Sequence, residues 1–239
     1  MTSRYAGVAR ERPGRVRRRG RVCRRGRPVT AAVALIASAV ALAGLSGAAG
    51  AAMPAGADLV RDLRAGGYVL VMRHAQSPDA RPDGSDAEPD NAAHERQLSA
   101  AGKAQARALG AALRKLAIPI GRIYSSPTYR ARETIRLAGL GAPQVVTQLD
   151  EGSRGMRGSA GRAQLAWLRQ AAAEAPPTGT DTLIVTHTPN IAGAFGRSSA
   201  DVQAGEMILF KPAKGGAAAS VVARITIAQW RQWASRAAR

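Results

Sequence analysis

The stretch Tyr68-Val69-Leu70-Val71-Met72-Arg73-His74-Ala75-Gln76-Ser77 joins an unbroken apolar run directly to an arginine and a histidine. An apolar run without polar alternation is the pattern of a strand covered on both faces, as in a parallel sheet with helices above and below. Gly66-Gly67 precedes it, and before those glycines Asp58–Ala65 (DLVRDLRA) has helical spacing. Two further runs share the design: Arg122–Ser125 (RIYS) leads into Ser126-Pro127-Thr128-Tyr129-Arg130-Ala131, and Thr182–Thr186 (TLIVT) leads into His187-Thr188-Pro189-Asn190. In open α/β sheets ligands sit beyond the carboxyl ends of the strands. Two histidines and two arginines are therefore expected on one rim.

The intervening sequence reads as helix and loop. Ser99 is placed to cap a helix running to Leu116, with Ala104, Ala108, Leu109, Ala112, Leu113 and Leu116 on one stripe. Pro127 suits the first turn of a helix to about Leu137. Val145–Thr147 is expected as a short strand and Arg162–Ala175 as a helix. Glu206–Lys211 and Val221–Ile227 read as a hairpin around Gly215-Gly216, followed by a terminal helix with Trp230 and Trp233. Ser77–Arg96, with three Pro and one Gly among four Asp and two Glu, is a loop. The order predicts an α/β fold of three layers, a mostly parallel central sheet with helices on both faces.

The chemistry of the rim follows from residue types. Arginine offers a planar fork of donors that matches phosphate oxygens. A neutral histidine can act as nucleophile and form a covalent intermediate. Each residue also has an ordinary reading: His74 as a satisfied histidine near a core, Arg130 as a solvated helix charge beside Arg132 and Arg136, and His187 as a strand-end cap. Gln76 and Ser77 either touch phosphate or finish the turn. Gly102 and Gln105 shape the helix, and His94 is an ordinary loop residue.

Four ordered motifs bind these residues together: LVMRHAQS at Leu70–Ser77, RQLSAAGKAQARALG at Arg96–Gly110, IYSSPTYRARET at Ile123–Thr134 and IVTHTPNI at Ile184–Ile191. On them the sequence resembles the histidine phosphatase superfamily, with its phosphoglycerate mutase-like fold. The resemblance implies that His74 is the phosphohistidine-forming nucleophile, that Arg73 and Arg130 clamp the phosphate, and that His187 contacts the phosphoryl group. It also implies a general-acid carboxylate, here Glu151 with Asp150 in reserve. The short stretch between Glu151 and His187 favours hydrolysis over mutase chemistry. The chain is similar to short secreted members such as the lipopolysaccharide core heptose phosphate phosphatase-like proteins. The expected substrate is a phosphorylated small molecule. A phosphohistidine or phosphoprotein phosphatase, and a non-catalytic phosphate-binding protein, stand as alternatives.

Composition narrows the classes. The chain has 239 residues, of which 46% are hydrophobic and only 4% aromatic, so small aliphatics build the core. One cysteine, Cys23, excludes an intramolecular disulfide framework, a multi-cysteine zinc site and an iron–sulfur cluster. Three histidines, two of them assigned to phosphoryl chemistry, leave no catalytic metal set, so a metal-independent enzyme without a cofactor is expected. The net charge of +19 divides unevenly, for residues 1–53 carry eleven Arg and one Glu. The remainder has no interleaved aromatics and no nucleic-acid motif, which argues against nucleic acid as a partner.

The ten arginines of Arg10–Arg27 precede the uncharged, apolar Thr30–Leu45, and Ala-x-Ala patterns follow at Ala49–Ala51 and Ala55–Ala57. A basic region, an apolar run and small residues are the parts of a secretory signal peptide. The expected division is a signal segment over 1–57 and a histidine phosphatase domain over 58–239, exported to the periplasm or beyond. A retained anchor, which would be the only contact with a membrane, and a later start codon remain open. Nothing in the sequence fixes an oligomeric state.

Overall fold

The computed structural model describes residues 56–78, 95–151, 158–213 and 218–237. The expected signal segment up to residue 55, Cys23, His94 and the turn at Gly215-Gly216 lie outside the described residues.

Strand β1 (Val69–Arg73) is the hub of the described sheet, whose order is β3-β2-β4-β1-β5-β6. The other strands are β2 (Ile120–Ser125), β3 (Gln144–Val145), β4 (Asp181–Thr186), β5 (Met207–Lys211) and β6 (Ser220–Ile225). The first four in spatial order are parallel, and β5 and β6 run antiparallel on the far side. The helices are α1 (Gly56–Ala65), α2 (Ala100–Lys115), α3 (Tyr129–Ala138), α4 (Gly158–Ala173), α5 (Thr188–Phe195) and α6 (Ile227–Arg236). The α/β, three-layer expectation therefore holds.

Alternation along β1 explains the layers. Leu70 and Met72 join α1, α2, α3 and α6 through Leu63, Leu109, Leu113, Ile135 and Trp230. Val69 and Val71 point the other way, toward Leu168 of α4 and Ile191 of α5. Successive strand side chains face opposite sides, so a sheet covered twice needs the continuous apolar run seen at this strand.

Several boundaries differ from expectation, each for a local reason. Thr147 belongs to a 3₁₀ turn (Thr147–Leu149), not to β3. Helix α3 starts at Tyr129 with Thr128 as its N-cap, so Pro127 stands before the helix; the proline inside a first turn is Pro189 of α5. Helix α5 was not expected, because Thr188-Pro189-Asn190 reads as a turn and Gly193 weakens the helical pattern. Ser99 caps α2 as expected, its hydroxyl accepting from the Gly102 N–H at 3.0 Å.

Register places the rim. Arg73 is paired with Thr186 across β1 and β4, and Ser125 with Val185 across β2 and β4. The residues following these strands, His74, His187 and Ser126, consequently emerge side by side.

Candidate active site

The segment after β1 is pinned by main-chain bonds before any side chain acts. The His74 N–H donates to the Thr186 carbonyl at 3.0 Å, and the Ala75 N–H donates to Thr134 Oγ1 at 3.1 Å. That hydroxyl in turn donates to the Arg130 carbonyl at 2.7 Å, so α3 and the histidine loop share one tether. The Gln76 carbonyl accepts from the Ser99 N–H and its N–H donates to Gln105 Oε1. The backbone of Gln76 thus finishes the turn. Gly102 is required there, since a Cβ would stand 1.9 Å from the Gln76 carbonyl oxygen.

His74 is 2% exposed, and its Nδ1 lies 2.7 Å from the Ala75 carbonyl. A carbonyl can only accept, so Nδ1 carries the proton and Nε2 keeps its lone pair. Arg130 Nε is 3.3 Å from that Nε2, and Arg130 Nη2 is 3.2 Å from His187 Nδ1. The two imidazole centroids are 5.1 Å apart. Burial first, then the charges of Arg130 and its neighbours, lowers the pKa of His74 to about 3. The same causes, burial again foremost, hold His187 well below the usual histidine range. Both rings are neutral at neutral pH.

His187 Nε2 faces Ser126 Oγ at 2.8 Å and Thr128 Oγ1 at 3.4 Å. A hydroxyl rotates to donate or accept. His187 can therefore present Nδ1 to the rim as a lone pair toward Arg130 or as an N–H toward an oxyanion. Because the Thr128 hydroxyl is turned toward this cluster, it does not cap α3. The Glu95 carboxylate takes that place, accepting from the Tyr129 N–H.

Glu151 arrives from the loop after the 3₁₀ turn. Thr186 Oγ1 donates to the Leu149 carbonyl at 2.9 Å and Asn190 Nδ2 to the Asp150 carbonyl at 3.0 Å, which fixes the approach. Glu151 Oε2 accepts from Arg130 Nη2 and stands 3.5 Å from His187 Nδ1 and 3.9 Å from Arg96 Nη2. These contacts belong to Glu151; the charge of its reserve, Asp150, is felt at Glu95 instead. Arg73 Nη1 donates to the Val202 carbonyl at 3.0 Å, and its charge lowers both histidines. The structure thus gathers His74, His187 and Glu151 around Arg130, with Arg73 at the edge. Arg96, Ser126, Thr128 and Glu95 had no assigned role; Arg96, Ser126 and Thr128 stood inside the quoted motifs, which was the available signal.

A buried pair of neutral imidazoles joined by one guanidinium, each at a parallel strand end, is the setting the family comparison then meets. Residues 69–157 match the histidine phosphatase superfamily, branch 1. No match is found among curated proteins. Among solved structures, the chain is similar to the protein histidine phosphatase SixA complexed with tungstate, at 16% identity and a TM-score of 0.49, over 67% of this chain and 97% of that one. It is also similar to a phosphoserine phosphatase mutant from Entamoeba histolytica in complex with phosphoserine, at 13% identity and a TM-score of 0.44, over 68% and 98%. The matched residues include β1, α2, β2 and α3, hence His74 and Arg130. His187 comes from β4, beyond the matched residues.

Proposed function

We propose that the protein is an exported, metal-independent phosphomonoester hydrolase working through a phosphohistidine. The observation that carries the reading is the His74–Arg130–His187 cluster, in which the unprotonated Nε2 of a buried neutral ring accepts from Arg130 Nε beside further fixed cationic donors.

His74 Nε2 attacks phosphorus, the P–N bond forms and the P–O bond to the leaving group breaks. Arg130, Arg73 and His187 bear the charge on the phosphoryl oxygens, as positioned donors do best in a water-poor site. Glu151 in its protonated form gives its proton to the departing oxygen. Water then attacks the phosphohistidine; its proton passes to Glu151, the P–N bond breaks and phosphate leaves. No step needs a cofactor.

The substrate class that fits is a small phosphorylated metabolite or an envelope sugar phosphate. Export is supported by the basic–apolar–small order of residues 1–57. The test is phosphate release from a panel of phosphorylated sugars, nucleotides and headgroups. Turnover that survives EDTA and is abolished in His74→Ala is the expected result. Turnover that requires an added divalent ion, or persists in His74→Ala, would overturn the reading.

A further inference from the structure

We propose that Arg224, on the edge strand β6, is a positioning residue for Arg73, acting through the segment Ser198–Glu206; this rests on the phosphatase reading above. All three guanidinium nitrogens are engaged. Nε donates to Glu206 Oε1 at 2.8 Å, Nη2 to Glu206 Oε2 at 3.0 Å, and Nη1 to Asp201 Oδ1 at 2.7 Å and to the Ser198 carbonyl at 3.0 Å. One planar fork therefore holds both ends of the segment, a task that the single ammonium of lysine does not reproduce.

What the segment carries is the first arginine of the site. The Glu206 carboxylate also accepts from the Gln203 N–H at 2.7 Å, which folds the turn, while the Glu206 carbonyl accepts from the Arg73 N–H at 3.1 Å. The Gly205 N–H donates to the carbonyls of Arg73 and His74, both at 3.1 Å. Gly205 lies in the left-handed region at φ 81°, and a Cβ there would meet Ile227 Cδ1 at 2.4 Å, so glycine is demanded twice. The Val202 carbonyl receives the Arg73 guanidinium at 3.0 Å. Main chain and side chain of Arg73 thus both hang on a segment whose shape Arg224 sets.

Loosening the fork leaves the buried Glu206 carboxylate short of its counter-charge, and the segment relaxes toward water. Val202 moves with it, and Arg73 loses its fixed reach. A shift of about 1 Å in a positioning group costs up to roughly 100-fold in rate. Because Arg73 holds phosphate before as well as during reaction, the loss falls mainly on KM.

The experiment is a double-mutant cycle of Arg224→Lys with Arg73→Ala in the full chain, read as kcat and KM on an aryl phosphate. Arg224→Lys is expected to raise KM about 5- to 10-fold with little change in kcat, and to add less than about 2-fold in the Arg73→Ala background. Asp201→Asn, which loosens one exposed contact, gives a smaller rise in KM that also vanishes in that background. It serves if the lysine variant does not fold. Losses that multiply in the double variants, or a fall in kcat at unchanged KM, would overturn the role of Arg224. A wild-type protein that neither releases phosphate nor binds orthophosphate would instead overturn the phosphatase reading.

Discussion

Arg130 is 7% exposed and contacts His74, His187 and Glu151 at once, so one guanidinium joins the whole rim. Burial first, and then its charge, keeps both histidines neutral. In an NMR titration the signals of His74 and His187 are therefore expected to stay still between pH 5 and pH 8, since the pKa of His74 is lowered to about 3. A midpoint near the ordinary value of 6.5 for either ring would contradict the burial account. Glu151 occupies donors that an incoming phosphate would use, and it also supplies the proton of the proposed reaction. These two roles pull Glu151→Gln in opposite directions. Orthophosphate should bind several-fold more tightly in calorimetry, because a competing negative charge is gone. Turnover of alkyl phosphates should fall by roughly 10² to 10⁴, and that of aryl phosphates, which leave without a proton, much less. Equal losses on both substrates, or weaker phosphate binding, would count against Glu151 as the acid.

Elements bring these residues together, and here the limits of the sequence show. The apolar run of β1 and the strand ends after β2 and β4 were legible because burial on both faces leaves a mark that short windows detect. The roles of Ser126, Thr128 and Glu95 were not, since they depend on which hydroxyl faces His187 and which group then caps α3. Helix α5 was hidden by its own residues, for Thr, Pro, Asn and Gly are weak helix formers and its burial of Ile191 is a tertiary effect. Close packing gives an element-level prediction. Gly102→Ala forces the α2 start away from Gln76 and should cost about 1–3 kcal/mol in stability, with turnover falling because the loop after His74 shifts. An unchanged Tm would refute that close approach. At the opposite end of β4, Asp181 is fully buried, accepts from the Tyr68 N–H at 2.9 Å through Oδ1, and leaves Oδ2 without a partner. Burial raises its pKa from 3.8 to about 7. Between those values the folded state binds more protons than the unfolded one, so this group's contribution to stability declines as pH rises from about 4 to about 7. Asp181→Asn cannot ionise, and its Tm advantage over wild type should grow from pH 5 to pH 8; a constant difference would show that Asp181 does not titrate there.

At the scale of the molecule, one parallel core of four strands delivers the site and an antiparallel pair braces it. Strands β1, β2 and β4 point their carboxyl ends the same way, which is why residues as distant in sequence as His74 and His187 meet. Strands β5 and β6 do not contribute a side chain to the cluster, yet the turn before β5 holds the main chain of Arg73 and His74. That division lets the outer strands be read as support and the loop ends as chemistry. The whole arrangement converges on Nε2 of His74 as the atom that takes the phosphoryl group. The direct measurement is rapid quenching of the enzyme with a radiolabelled phosphomonoester, followed by localisation of the label. The account predicts label on His74 that survives base and is lost in acid, and no label in His74→Ala. Label that survives acid but not base, or label retained by His74→Ala, would contradict it.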